Sequence, residues 1–266
     1  MNRMLLKTLL ASTALLTGLA QALPPPDSSQ LAALKTMEGK KVRICIFDPV
    51  GANGPAVGYA KDYMLEAKKW GINYEIKAYT DERVAAEDLK AGQCDAAAIT
   101  TLRAKQFNKF VGSLDAVGAI PDNAHMDMVL KTLASPRMAP LMRNGHYEVV
   151  GNIPLGAAYV MVNDRAINSI EKAAGKKVAV MEWDKSQAKM VQRMGAQPVA
   201  SDVINLVGKF NNGQVDIIAA PALAFKPLEI YRGLGDKGAI YRFPLVMLSA
   251  ALIIRHDRFP PDVGQK

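Results

Sequence analysis

The sequence is poor in aromatic residues, and its basic residues do not cluster. Aromatic side chains make up 6% of the chain, and the lysines and arginines are scattered although the formal net charge is +8. Nucleic-acid-binding surfaces usually combine clustered basic residues with aromatic side chains. The composition therefore argues against a nucleic-acid partner. We interpret the excess positive charge as a solvated surface, with attraction to an anionic membrane face or an acidic protein loop as the alternative.

Signatures of catalysis are also missing. The sequence contains no G-x-S-x-G, no Walker A and no H-E-x-x-H motif. Gly51-Ala52-Asn53-Gly54 offers backbone N–H groups to an anion but lacks the lysine of a P-loop. Met138, Met142 and His146 have the spacing of one helical face and could bind copper, although such a stripe is more typical of a core. The sequence thus predicts no catalytic residue, no metal site and no cofactor.

The longest apolar run near the N-terminus has the features of an export signal. Arg3 and Lys7 precede an apolar stretch over residues 8–19, and Ala20-Gln21-Ala22 is an A-x-A cleavage site. The run is too short to span a bilayer, although a membrane anchor is the alternative reading. We therefore predict cleavage after Ala22 and a periplasmic location. No cysteine stands at the cleavage point, so no lipid anchor is expected.

The chain has two cysteines, Cys45 and Cys94. Each lies in or beside a predicted strand, and these two strands would be neighbours in a doubly wound sheet. In an oxidising compartment an even pair of cysteines indicates a disulfide. The alternative is a pair of buried thiols too far apart to be bridged.

Residues 175–221 alternate between strand and helix patterns. Strands are predicted over 177–181, 196–200 and 215–219, with helices over 185–194 and 202–211 between them. Ser201 is the predicted N-cap of the second helix because its hydroxyl can accept a hydrogen bond from a first-turn N–H. Such alternation predicts a parallel sheet with right-handed crossovers.

The same pattern occurs earlier in the chain. Gly39-Lys40-Lys41-Val42-Arg43-Ile44 matches Gly175-Lys176-Lys177-Val178-Ala179-Val180, and Gly92-Gln93-Cys94-Asp95 matches Gly213-Gln214-Val215-Asp216. This repetition predicts two similar α/β lobes with a ligand cleft at the carboxyl ends of their strands. Two extended segments, 147–163 and 241–255, are predicted to cross between the lobes as a hinge. Further strands are predicted over 41–47, 72–79 and 95–100, and further helices over 55–70, 82–91, 122–133, 137–144 and 222–231.

Three motifs in the second lobe carry a resemblance to a known family. G-x-K-V-x-V from Gly175, M-G-A-x-P-V from Met194 and N-G-x-V-D-x-x-x-x-P from Asn212 resemble the solute-binding proteins of TRAP transporters. They are most similar to a branch of which some members are labelled as efflux-pump-associated. The resemblance implies a two-lobe, type II periplasmic-binding-protein-like α/β fold, each lobe a mostly parallel sheet flanked by helices. It also implies a monomer that delivers a small organic solute to membrane transporter subunits; the alternative is a non-transporting accessory protein on the same fold.

The resemblance and the repeats together divide the chain into five parts. We predict a signal peptide over 1–22, a tether and short helix over 23–37, an N-terminal lobe over 38–155 and a second lobe over 156–244. Residues 245–266 are predicted to hold a crossing strand and the opening of a C-terminal helical region. The family's long C-terminal helices are expected to be missing, because the sequence stops inside that opening.

The predicted ligand-binding residues lie at or near the strand ends that face the cleft. They are Asp48, Asn53, Thr100, Thr101, Arg103, Glu182, Trp183, Asp184 and Pro221. The alternatives are helix caps for the three acids, lobe packing for Trp183 and a surface position for Arg103.

The resemblance also shows where this sequence departs from its family. The family's anchoring arginine corresponds to Ala179, and a family asparagine corresponds to Ala220. Arg103 is therefore the predicted substitute, because its guanidinium can bind a carboxylate through two parallel hydrogen bonds. Asp48 and Glu182, if they face the cleft, would favour an amine or a zwitterion over a dianion.

Overall fold

The computed structural model describes residues 39–68 and 73–260, together with the isolated positions 32, 35 and 37. The predicted signal peptide, most of the tether and residues 261–266 lie outside these ranges. Within them, no helix is both long enough and apolar enough to cross a membrane.

In the described part of the chain, nine strands form one continuous sheet. Their order is β2-β1-β3-β9-β5-β8-β6-β7, with β4 paired to β5. Their bounds are β1 Lys41–Phe47, β2 Asn73–Tyr79, β3 Ala96–Thr100, β4 Arg143–Asn144, β5 Tyr147–Val162, β6 Lys177–Met181, β7 Gln197–Ser201, β8 Ile217–Pro221 and β9 Ala239–Arg255.

Short helices cover the sheet and connect its strands. The α-helices are α1 Pro55–Lys68, α2 Glu82–Lys90, α3 Thr101–Ala104, α4 Asn123–Leu133, α5 Ala139–Met142, α6 Ile170–Ala173, α7 Lys185–Arg193, α8 Asn205–Asn211 and α9 Tyr231–Leu234. Single 3-10 turns occupy Gly51–Asn53, Val111–Ser113, Pro136–Met138, Ala222–Ala224 and His256–Arg258.

The sheet consists of two parallel groups joined by two long antiparallel strands. β1 pairs in parallel with β2 and β3, and β6 pairs in parallel with β7 and β8. β5 and β9 pair with each other along most of their length, and each also pairs antiparallel with one group, β9 with β3 and β5 with β8. We call β1–β3 with α1–α5 the first lobe, β6–β8 with α6–α9 the second lobe, and β5 with β9 the crossing strands. This arrangement confirms the predicted α/β fold with two crossing strands.

Each lobe has its own hydrophobic core. Leu89, Ile99 and Phe107 are buried in the first core, together with residues of both crossing strands. Phe210 and Ile218 lie in the second core, and Phe210 packs so closely against Gly233 that a Cβ there would approach its ring to 2.3 Å. Each fully buried side chain of this kind contributes about 1.5–3 kcal/mol relative to exposure. Two separate cores joined by two strands form an architecture that can bend between its halves.

The predicted disulfide is present. Cys45 lies in β1 and Cys94 lies just before β3, with their Cα atoms 5.9 Å apart and both side chains buried. Because β1 and β3 are hydrogen-bonded neighbours, the two cysteines come together across the sheet. The alternative of two separated thiols is therefore wrong.

The start of α8 differs from the prediction. Ser201 is the last residue of β7, where it pairs with Met181, and its hydroxyl donates to the Val199 carbonyl instead of capping a helix. The helix begins only at Asn205, and Asp202 accepts hydrogen bonds from the N–H groups of Ile204 and Asn205. Strand pairing thus holds Ser201 in an extended conformation, and the capping role passes to Asp202.

Two other predicted helices are broken. The segment predicted as helix 137–144 contains a 3-10 turn and α5, and Arg143–Asn144 then form a short strand against β5. Gly145 has φ +58°, a value that favours glycine, and it permits the tight return of the chain. His146 lies beyond this turn, so it does not share a helical face with Met138 and Met142.

The predicted helix 222–231 is replaced by a 3-10 turn, a loop and the short helix α9. Pro227 interrupts the segment, because proline has no N–H to donate and its ring crowds the preceding turn. Glu229 adopts φ +52°, a left-handed conformation that a continuous helix excludes.

Candidate functional site

The turn that follows β3 brings several polar side chains to the carboxyl end of the sheet. The Thr100 hydroxyl accepts a hydrogen bond from the Arg103 N–H at 3.3 Å, which starts α3. The same hydroxyl donates to Glu82 Oε2 at 2.7 Å, and the Thr100 N–H donates to that oxygen at 3.2 Å. Glu82, at the start of α2, therefore holds the turn after β3 in place through two hydrogen bonds from Thr100.

Arg103 is buried between the two lobes. Its side chain is only 8% exposed, and its Nε lies 3.5 Å from Glu82 Oε1, an ion pair without hydrogen-bond geometry. Its guanidinium carbon lies 3.5 Å from the centroid of the Trp183 ring. Trp183 follows β6, so this cation–π contact joins the first lobe to the second.

A second polar contact joins the lobes beside the first. Lys105 Nζ lies 3.5 Å from Asp184 Oδ2, while Asp184 Oδ1 caps α7 through the N–H groups of Ser186 and Gln187. The lysine side chain is 47% exposed. An exposed ion pair of this kind contributes at most about 1 kcal/mol, so we regard it as secondary to the Arg103–Trp183 contact.

A buried chain of hydroxyl groups links the turn to a crossing strand. Thr101 Oγ1 and Ser249 Oγ are 2.7 Å apart, and Ser249 donates to Asp115 Oδ1 at 3.1 Å. A hydroxyl carries one proton, so Thr101 must be the donor to Ser249. The crossing strand β9 is thereby connected to the turn that carries Arg103.

Burial alters the acidity of the two carboxyl groups in this region. Desolvation raises the pKa of Asp115 to about 7, against hydrogen bonds from Ser249 that lower it. Desolvation likewise raises the pKa of Glu82, although Thr100 and Arg103 oppose that shift. The charged forms of both acids are therefore held in a region that disfavours negative charge.

Several predicted site residues meet here, and others lie elsewhere. Thr100, Thr101, Arg103, Trp183 and Asp184 are brought together between the lobes. Asn53 is exposed in the 3-10 turn that follows β1, Glu182 is exposed directly after β6, and Pro221 ends β8 opposite Ala158 of the crossing strand β5. The positions that correspond to the family's anchors are apolar: Ala220 is buried in the second core, and Ala179 packs against it.

Asp48 has a structural role in the fold. Its carboxylate accepts hydrogen bonds from the N–H groups of Val50, Ala56 and Val57 at 2.9, 2.8 and 3.2 Å. A Cβ at Gly54 would lie 1.9 Å from Asp48 Oδ1, so the loop closes around this carboxylate. This arrangement matches the alternative role of Asp48 as a cap at the start of α1, and its buried oxygens are already occupied.

Four polar residues of this region were not among the predicted site residues: Glu82, Asp115, Asn152 and Ser249. Asn152 and Ser249 interrupt otherwise largely apolar crossing strands, which is a signal that the sequence does contain. Glu82 and Asp115 give no comparable local signal, because their partners lie 18 and 134 residues away.

Comparison with known proteins identifies the relatives of this chain. A sequence model of the family described as "Solute-binding protein AdeT 1/2" matches residues 67–266. The chain is 55% identical over 221 residues to the probable solute-binding protein AdeT1 of Acinetobacter baumannii, covering 83% of this chain and 73% of that protein. It is 29% identical over 156 residues to the probable solute-binding protein AdeT2 of the same organism, covering 59% of this chain and 66% of that protein.

Solved structures share the fold at low sequence identity. A TRAP periplasmic solute-binding protein from Desulfovibrio salexigens, with bound orotic acid, matches with a TM-score of 0.67 and 15% identity, covering 85% of this chain and 73% of that one. A protein of the same type from Ralstonia eutropha H16, with bound (S)-2-acetolactate, matches with a TM-score of 0.68 and 14% identity over the same shares of the two chains. At this level of identity the likeness establishes the architecture.

Proposed function

The chain belongs to the AdeT 1/2 family of solute-binding proteins, and from this premise we propose that it binds a small organic solute between its two lobes. The solute would be delivered to a membrane transporter without any chemical change. We further propose that the protein acts as a monomer in the periplasm after cleavage behind Ala22, as the sequence of residues 1–22 predicts. Its relatives are named for solute binding, which supports a non-catalytic role.

The contact of Arg103 with Trp183 is the observation that carries this proposal. It places a buried cation and an aromatic ring from opposite lobes against each other, at the carboxyl ends of β3 and β6. Ligands of open α/β sheets bind at this edge. A solute that enters here touches both lobes at once, so its binding energy favours the closed arrangement.

We propose Thr100, Thr101, Arg103, Trp183 and Asp184 as the centre of the site. Asn53, Glu182 and Pro221 lie at neighbouring strand ends and are proposed as peripheral contacts. Asp48 acts indirectly, because it holds the loop after β1 in place.

Thermal-shift screening combined with small-angle scattering tests the function. We expect a member of a panel of amino acids, polyamines, aminoglycosides and dicarboxylates to raise the melting temperature and to reduce the radius of gyration. Arg103→Ala should weaken binding by about tenfold to a hundredfold, because a charge-assisted contact is worth roughly 1.5–3 kcal/mol. Arg232→Ala is the matched control, since Arg232 pairs with Glu229 on the exposed surface of the second lobe.

The same experiment has an outcome that contradicts the proposal. If no solute stabilises the protein and the scattering curve never changes, solute binding should be abandoned. The apolar residues at both family anchor positions would then fit the accessory role on the same fold, and a stable partner protein should be sought instead.

A further inference from the structure

The structure leaves a small set of buried polar atoms without hydrogen-bond partners, and they concentrate around the proposed site. Among the described residues these atoms are Glu82 Oε1, Arg103 Nε and Nη2, Asp115 Oδ2, Asn152 Oδ1 and Trp183 Nε1. More than nine in ten buried polar groups in native proteins have a partner, so a cluster of exceptions requires an explanation. A bound solute is the explanation that fits a site between two lobes.

The charges in this cluster do not balance. Arg103 supplies one positive charge, and Glu82, which is 2% exposed, lies beside it and compensates it. Asp115 is a second carboxyl group, 8% exposed, and no described residue forms an ion pair with it. A buried carboxylate without a cation is unfavourable, and this cost is expressed in its pKa of about 7. When Asp115 is ionised, the cluster therefore lacks one positive charge.

Two of the three unpartnered acceptors, Asp115 Oδ2 and Asn152 Oδ1, are associated with the crossing strands. Asn152 of β5 lies opposite Ala251 of β9, two residues from Ser249, whose hydroxyl donates to Asp115. Alternate residues of a strand share one face, and directly opposite residues share it too, so Asn152 lies on the same face as Ser249. Asp115 and Asn152 are thus both linked to Ser249, one by a hydrogen bond and the other by strand register, and each offers an acceptor without a partner.

The unpartnered donors belong to the contact between the lobes. Arg103 Nη2 and Trp183 Nε1 are carried by the two side chains that stack on each other, and both atoms are buried. They offer hydrogen bonds to an acceptor such as a carbonyl or carboxylate oxygen. Thr101 lies in the same helical turn as Arg103 and leads through Ser249 to Asp115, so the donor group and the acceptor group are close neighbours.

Resting on the proposed solute-binding function, we propose that the solute carries a protonated amine, which Asp115 and Asn152 accept. A hydrogen-bond acceptor elsewhere on the same solute binds Arg103 and Trp183. The ammonium group supplies a positive charge to ionised Asp115, and its hydrogen atoms satisfy Asp115 Oδ2 and Asn152 Oδ1. A carboxylate without an amine is disfavoured, because Glu82 already compensates Arg103 and a further negative charge would face Asp115.

Calorimetric titration of the protein purified from the periplasm tests this inference. The probes are 4-aminobutyrate, lysine and putrescine, which carry amines, and butyrate and succinate, which do not. We expect amine-bearing probes to bind and Asp115→Asn, which keeps the size of the side chain, to weaken them by at least about tenfold. Asp127→Asn removes a negative charge from the exposed side of α4 and should leave binding unchanged.

A second variant provides a gain of affinity that a misfolded protein cannot imitate. Glu82→Gln removes the compensating charge beside Arg103, and we expect it to raise the affinity for succinate by about tenfold. An unchanged or lower succinate affinity would overturn the role of Glu82. Unchanged binding of amines to Asp115→Asn would overturn the role of Asp115.

The outcomes separate this inference from the proposed function. If butyrate or succinate binds the unaltered protein as tightly as the amines do, the amine requirement is wrong while solute binding stands. If no probe binds, native mass spectrometry of the protein decides. A retained solute without an amine overturns the inference alone, a retained amine supports it, and an empty protein contradicts both the inference and the proposed function.

Discussion

At the scale of single residues, the burial of Arg103 and Glu82 determines the chemistry of the site. Arg103 and Glu82 lie within 3.5 Å of each other, and both side chains are almost completely buried. Removing two charged groups from water costs free energy. A buried ion pair is therefore stabilising only when its remaining polar atoms also have hydrogen-bond partners. Trp183 covers the guanidinium from the other lobe, so the pair is shielded by the same contact that brings the lobes together.

At this scale Asp115 makes stability depend on pH. Its pKa rises from the ordinary value of 3.8 to about 7 on folding, so the folded protein retains a proton that the unfolded chain releases. Stability from this group is therefore fully present below about pH 4 and is lost as the pH rises through about 7. The full effect is on the order of 4 kcal/mol. Glu82, whose pKa is also raised, acts in the same direction.

Urea unfolding at about pH 5 and about pH 8 measures this dependence. We expect Asp115→Asn to be less sensitive to pH than the unaltered protein, because it cannot bind the proton. Asp115 accepts hydrogen bonds from the hydroxyl and the backbone N–H of Ser249, and neither group titrates in this range. Asp127→Asn should keep the original slope. An Asp115→Asn protein with that same slope would show that the dependence arises elsewhere.

The secondary-structure elements follow largely from local sequence patterns. Short β-branched runs predicted β1, β6 and β8, and the long extended segments predicted both crossing strands, because strand formation here depends on apolar residues close together in sequence. The helix predicted at 137–144 was wrong because a hairpin turn at Gly145 and pairing with β5 replaced its last residues. Tertiary pairing of this kind is not visible in a local pattern.

The site was predicted less completely than the elements, for a physical reason. Thr100 ends β3, and Arg103 and Trp183 follow β3 and β6; the rule that strand ends meet at one edge identified all three. Asp115 and Glu82 contribute to the site only through hydrogen-bond partners that are distant in sequence. Their burial could therefore not be predicted from the residues next to them. The same rule placed Asp48 at a strand end, but its carboxylate is occupied by backbone N–H groups of its own loop.

The disulfide joins β1 to the segment just before its paired neighbour β3, and we expect it to stabilise the fold. Cys45 and Cys94 close a loop with a sequence separation of 49 between neighbouring strands. In the chain-entropy model, such a crosslink stabilises the fold by about 4 kcal/mol. We expect the reduced protein to unfold at a clearly lower urea concentration than the oxidised one.

Thiol titration of the denatured, unreduced protein is the control for this comparison. It should find no free thiol in protein exported to the periplasm. Two titratable thiols would show that the bond does not form there. Equal urea midpoints for the oxidised and reduced forms would show that the bond contributes little to stability.

At the scale of the described molecule, the main core of each lobe is connected to the other by the two crossing strands, with polar groups where the lobes meet. The crossing strands carry Ser249 and Asn152 into this region, so a movement of the hinge and the binding of a solute act on the same residues. A solute that satisfies groups in both lobes shifts the population toward the closed form. This is the physical basis on which we connect the fold to solute capture.

Native mass spectrometry of protein purified from the periplasm without added ligand tests the central claim most directly. We predict that the unaltered protein carries one small molecule and that Trp183→Ala, which removes the contact between the lobes, loses it. Tyr63→Ala is the matched control because this aromatic side chain lies on α1 of the first lobe and contacts Tyr74 near the start of β2, away from the carboxyl ends of the strands. An unaltered protein that is empty, or a Trp183→Ala protein that retains the same solute equally well, would contradict solute capture between the lobes.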